Sequence, residues 1–111
     1  MSLNPEVSEL FDFYGDMLTE KQRDAIRFYY DDDLSLAEIA DIESISRQGV
    51  RHIIKQGEGK LEFLESKLGL AEHSKELRLA ADRLVEAANA GSLDALTDRA
   101  RECADLIYKR D

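Results

Sequence analysis

Arg47, Gln48, Arg51, His52 and Lys55 fall within ten residues of one another, and no acidic residue lies between Ser46 and Lys55. On a helix that starts at Ser46 they share the exposed face. Guanidinium, amide, imidazole and ammonium groups arranged this way suit phosphates and the base edges of a major groove. Ser46 supplies the start, since its hydroxyl can accept a bond from an amide of the first turn. The chemistry on offer is recognition of a nucleic acid. Ser46, Arg47 and Gln48 would enter the groove, and Arg51 and Lys55 would follow a phosphate strand.

Other chemistries find little support. The sequence has no glycine-rich phosphate loop and no Ser/His/Asp set that periodicity brings together. Glu62 and Glu65 form a carboxylate pair, but helical spacing predicts an exposed side for them. Asp31-Asp32-Asp33 suggests a magnesium site, yet it lacks the glycine and spaced acids of a calcium loop. A solvated loop that ends a helix is the better reading. One cysteine, Cys103, and two separated histidines, His52 and His73, cannot form a zinc set. The expectation is a non-enzyme with no catalytic residue, no metal and no cofactor.

The elements that position the basic residues are helical. Leu36 to Lys55 reads as a helix-turn-helix whose facing sides carry Ile39, Ala40, Ile45, Val50 and Ile53, with Ala40 at the closest approach. Ser35 and Glu38 have the spacing of a capping box. Upstream, Asn4 and Pro5 open a helix over residues 5–17, with Val7, Leu10, Phe11, Tyr14 and Leu18 at helical spacing. Thr19 opens the next, with Gln22 placed to close a second capping box and Ala25, Ile26, Tyr29 and Tyr30 facing inward. Phe11, Phe13, Phe28, Tyr29 and Tyr30 could stack bases. Periodicity favours core packing for them.

The segments SLAEIADIESISRQGV and FDFYGDMLTEKQRDAIRFYYDDDLS resemble the YlxM family, small bacterial helix-turn-helix proteins linked to the signal recognition particle pathway. More distantly the layout resembles the DNA-binding fourth region of sigma factors. The resemblance covers roughly Leu10 to Leu70. It implies a helix-turn-helix fold and duplex DNA, or the particle's RNA or protein subunits, as partner. Ile42, Glu43 and Ser44 stand where the family usually has an apolar residue and then glycine before the turn.

Beyond Lys55 the helix continues. Val50, Ile54, Gly57, Leu61, Leu64 and Leu68 form a heptad-like seam, expected to meet either a second subunit or the C-terminal helices. Gly57 and Gly59 inside it would mark a kink, a break or a close crossing. Gly69 ends the helix, and residues 71–111 read as an αα-hairpin turning at Asn89-Ala90-Gly91, with Ser92 as cap. Its stripes are Leu77, Ala81, Leu84 and Ala88, then Leu93, Leu96, Ala100, Cys103 and Ile107. Cys103 is expected to be a buried thiol and His73 a surface residue. The expected fold is all-α, with a helix-turn-helix domain over 1–70 and a hairpin appendage over 71–111 for dimerisation or capping.

Charge constrains the partner. The net formal charge is −9. Residues 1–33 hold nine acids and three bases, residues 34–70 six and five, and residues 71–111 nine and seven. The candidate recognition helix is therefore a basic island on an acidic body, and a single chain would bind phosphates weakly and with strong salt dependence. A homodimer reading two half-sites would bind more tightly. No apolar run reaches the length of a membrane span, and MSLNPEVSEL lacks the basic-then-apolar order of a signal peptide. The lone cysteine agrees with a reducing cytoplasm.

Overall fold

Two capping boxes and two isolated caps set the helix boundaries in the computed structural model, which describes residues 5–108. Six α-helices and no strand occur among the described residues: α1 Pro5–Tyr14, α2 Glu20–Ile26, α3 Leu36–Glu43, α4 Arg47–Leu68, α5 Leu70–Ala90 and α6 Leu93–Tyr108. The fold is all-α. Asn4, expected to cap α1, lies outside the described residues. Thr19 and Gln22 exchange hydrogen bonds at the start of α2, as do Ser35 and Glu38 at the start of α3. Ser46 Oγ accepts from Gly49 N at α4, and Ser92 Oγ accepts from Ala95 N at α6. Each satisfies amides that a helix start leaves unpaired. Among the described residues, no helix is long and apolar enough to cross a membrane.

The chain divides into two units, Met1–Gly69 and Leu70–Asp111. In the first, α1, α2 and α3 all pack on α4. Val7, Tyr14, Ile26, Ile39, Val50, Ile54 and Leu61 are its largest fully buried side chains. The expected seam is present, and within this unit α1, α2 and α3 pack on it. Leu68, its last member, is 55% exposed. Gly57 settles the choice among kink, break and crossing. It is buried, and a Cβ there would lie 2.5 Å from Ile26 Cδ1. Helix α2 can approach α4 this closely only because glycine has no side chain. Gly59 faces open space.

Two departures occur before the helix-turn-helix. Residues 15–17 form a turn of 3-10 helix rather than the end of α1, and Arg27–Asp31 is a π-helical turn after α2. The wider turn brings three successive aromatics into contact with the core. Tyr29 is buried, while Phe28 and Tyr30 pack at its margin, and the Tyr30 ring meets that of Tyr29 edge to face. Asp31 thus closes a helix, and the expected loop is shorter. Phe13 departs from core packing and is 40% exposed. Glu65 is not exposed as expected: it is half-buried and accepts a 2.6 Å hydrogen bond from Tyr14 Oη.

In the second unit α5 and α6 form the hairpin, turning at Gly91 with φ +74°. The register of its seam differs from expectation. Ala80 and Ala87 are buried, whereas Ala81 and Ala88 are exposed, and no described residue of α6 is buried. Leu77, Leu84, Leu96 and Cys103 are half-buried, so Cys103 is not the enclosed thiol expected. Leu93, Ala100 and Ile107 are exposed, and His73 is half-buried.

Gly57→Ala is expected to destabilise the chain by about 1 kcal/mol, because overpacking of about 1–3 kcal/mol outweighs the ~1 kcal/mol gain in helix propensity. Combining it with Ile26→Val, which removes Cδ1, should cost less than the two separate losses added together. Gly59→Ala should stabilise by up to about 1 kcal/mol. Urea unfolding of the four variants measures all three effects.

Burial and the Glu58 carboxylate push the Tyr30 phenol up to about 12 from 10.0. The neutral phenol is the form the fold favours. Its stabilisation is therefore complete below pH 10 and is lost as pH rises towards 12. Tyr30→Phe should flatten that part of the alkaline stability profile, measured as the urea midpoint against pH.

Candidate nucleic-acid interface

The interface is built from the turn outward. Helix α3 ends at Ser44, whose φ of +57° and ψ of +43° are left-handed, and its amide bonds Ala40 O. Ile45 N also bonds Ala40 O, at 3.1 Å. This closes a tight turn in a backbone conformation that favours glycine. Serine holds the conformation here at a cost of about 1 kcal/mol. Ile45 then packs beside the core, and Ser46, in extended conformation, caps α4.

Helix α4 has two faces. Val50, Ile54, Gly57, Leu61 and Leu64 point inward. Arg47, Gln48, Arg51, His52 and Lys55 are all exposed, and Ser46 is exposed at their head. At 3.6 residues per turn the five span an arc of about 140°. None of them makes an ion pair or side-chain hydrogen bond among the described residues. Their donors are available to a ligand. The acid-free stretch runs from Glu43 to Glu58, and Glu58 is engaged by the Tyr30 hydroxyl.

The start of α3 adds to the interface, although the basic pattern in the sequence does not reveal it. Ser35, Leu36 and Ala37 line a shallow groove with Arg47, Gln48 and Arg51. The signal that could have found it is the capping box, which fixes where α3 begins and leaves its first amides at the surface. A second concavity adjoins the first and shares Arg51, but Asp33, Glu38, Leu34 and Tyr29 complete its lining along with Ser35 and Leu36. Arg51 thus stands between a basic groove and a carboxylate-lined one. A phosphate can approach from the Arg47 side and is repelled from the Asp33 side. Among the described residues no group of His, Cys, Asp and Glu could hold a metal ion.

Comparison with known proteins bears on this arrangement. The profile of a family described as helix-turn-helix, YlxM/p13-like, matches residues 3–98. A UPF0122 protein of Symbiobacterium thermophilum is 49% identical over 90 residues, covering 80% of this chain and 83% of that relative. One from Thermoanaerobacter sp. is 47% identical over 75 residues, covering 68% and 64%. Another, from Shouchella clausii, is 49% identical over 89 residues, covering 72% and 82%.

Ser44→Gly is expected to raise stability by roughly 1 kcal/mol, because glycine adopts positive φ without the side-chain penalty. Ser46→Ala should lower it by about 1 kcal/mol through loss of the cap. Thermal unfolding of the two variants should show opposite shifts in Tm.

Proposed function

The chain belongs to the family of YlxM/p13-like helix-turn-helix proteins, and from that premise we propose that it is a regulatory protein that binds a nucleic acid through α4. The observation that carries the reading is the exposed, unengaged set Arg47, Gln48, Arg51, His52 and Lys55 on one side of α4. Ser46, Arg47 and Gln48 enter a groove, while Arg51 and Lys55 lie along a phosphate strand. We assign it no catalytic step and no cofactor. Its setting is the cytoplasm, and the family resemblance suggests the signal recognition particle pathway. Duplex DNA and the particle's RNA are the two ligand classes to test. A regular RNA duplex has a deep, narrow major groove, so an RNA ligand must offer a widened or irregular site. The protein works as a homodimer, which doubles the phosphate contacts.

A second reading rests on the nine acids and three bases of residues 1–33. An acidic surface of that density favours a basic protein surface, and the helix-turn-helix then serves as scaffold.

Binding to mixed genomic duplex DNA and to the particle's RNA, each at two salt concentrations, separates these readings. Arg51 and Lys55 of each copy give about four phosphate contacts in the homodimer and a slope of log K against log salt near −3.6, roughly a 150-fold loss between 50 and 200 mM. Arg47→Ala with Arg51→Ala should abolish that binding and leave helix content unchanged. Absence of binding to either ligand at low salt would overturn the nucleic-acid reading in favour of a protein partner.

A further inference from the structure

The inward seam of Val50, Ile54, Gly57, Leu61 and Leu64 fixes which residues of α4 face out. That outer side has two edges that differ in charge. His52, Gln56, Lys60, Phe63 and Lys67 are all exposed, and at 100° per residue they fall within an arc of about 80°. They follow one another in steps of four, four, three and four, so each is a neighbour of the next. No acid of α4 lies in that arc. Glu58, Glu62 and Glu65 occupy a second arc centred roughly 150° away, on the side that carries Arg47 and Arg51 nearer the helix start. Off the helix, Lys21 and Glu43 border Ile53 near the head of the first edge, one charge of each sign.

The far end of the acid-free edge holds an aromatic ring between two cations. Phe63 is 55% exposed, and Lys67 Nζ stands 5.8 Å over its ring. Lys60 and Lys67 are about 10 Å apart along the helix axis, with Phe63 between them. Neither lysine makes an ion pair among the described residues. An exposed ring set among cations is the combination that binds unpaired nucleotides, because a base stacks on the ring while the backbone follows the charges. A regular duplex does not use it, since the faces of its paired bases are closed by their neighbours.

We propose that this edge binds a single-stranded segment of nucleic acid that leaves the duplex held at the head of α4. Phe63 stacks one of its bases, and Lys60 and Lys67 take its phosphates. Two features route the strand there. The edge is continuous with the groove-facing residues, because His52 belongs to both sets. A strand that ran straight on past Arg51 would meet Glu58, Glu62 and Glu65, whose charges repel phosphate, whereas the opposite edge of α4 carries none. The proposal rests on α4 as the nucleic-acid face, and it adds unpaired nucleotides as a ligand class that a helix reading only a groove does not need.

Fluorescence anisotropy of the full chain tests it with three kinds of labelled probe. These are a blunt duplex of mixed DNA sequence, the same duplex with a tail of about ten unpaired nucleotides, and the tail alone. The tail is made in deoxythymidine and in uridine. A tail is expected to raise affinity about tenfold over the blunt duplex, and a gain confined to uridine would assign the segment to RNA. Phe63→Ala should remove the gain and Phe63→Tyr should keep it. Both variants should bind the blunt duplex as the wild type does, with unchanged helical circular dichroism. Lys60→Gln with Lys67→Gln should reduce the salt slope for the tailed duplex by about 1.4. A tail that adds nothing, or a gain that survives Phe63→Ala, would overturn the proposal and leave duplex binding by α4 standing. Binding of the tail alone through Phe63, with no binding of the blunt duplex, would support the proposal and remove the duplex.

Discussion

The close approach of α2 to α4 at Gly57 is the constraint on which the N-terminal unit depends. A glycine within a 22-residue helix costs about 1 kcal/mol in propensity. Full burial of Ile26, which fills the space left by the missing side chain, stabilises by about 1.5–3 kcal/mol. Burial of the isoleucine outweighs the cost of the glycine, and the helix continues without a break. With α2 seated there, α1 and α3 take the remaining length of the inner face. Tyr14 of α1 is tied to Glu65, and Ile39 of α3 joins Val50 and Ile54 in the core. Among the described residues, the outer face of α4 has no neighbouring helix within the unit; it is polar from Arg47 to Lys60, and Phe63 is exposed beyond that stretch.

That outer face explains how an acidic chain can carry a cationic site. Two of the acids that follow the basic stretch are occupied by tyrosines of the N-terminal segment: Glu58 by Tyr30 and Glu65 by Tyr14. Along α4 these two acids stand about 10 Å and about 21 Å beyond Arg51. The acids nearest Arg51 are instead Asp33 and Glu38, in the adjoining concavity. Their effect is directional. They weaken phosphate binding from one side and leave the side of Ser35, Leu36 and Ala37 open. At physiological ionic strength, screening over about 8 Å limits the reach of the more distant acids. The local arrangement therefore counts for more than the net charge.

Much of the first unit is legible in the sequence because its signals are local. Thr19 with Gln22, Ser35 with Glu38, and Ser46 are caps within one turn of the groups they satisfy, and all three form. The exposure of the six candidate residues follows from the apolar spacing of α4. What is not legible needs information from a distance. The partner of the α4 seam depends on which helices reach it first, and repeat spacing alone carries no address. The π-helical turn at Arg27–Asp31 arises where three successive aromatics must all reach the core, which a regular helix cannot arrange. Glu65 has the spacing of an exposed residue because nothing in its neighbourhood in sequence reveals Tyr14. Ser44 runs against the glycine preference of the turn, yet it adopts the left-handed conformation because the core on either side fixes the geometry.

The hairpin shows a different limit. Periodicity alone places Ala81 and Ala88 inside, and the seam instead holds Ala80 and Ala87. Both registers fit alternating steps of three and four, and they differ by one residue, or about 100° around the helix. The sequence supports both because it is apolar at both. Alanine pairs sit at 80–81 and 87–88, leucine or valine at 84–85. A hairpin of two helices needs only one narrow stripe on each. Two adjacent stripes on the same helix are the pattern of a helix with two neighbours, as in a bundle core. The shifted register and the exposed face therefore have one cause: the chain carries more apolar surface than two helices can bury between them.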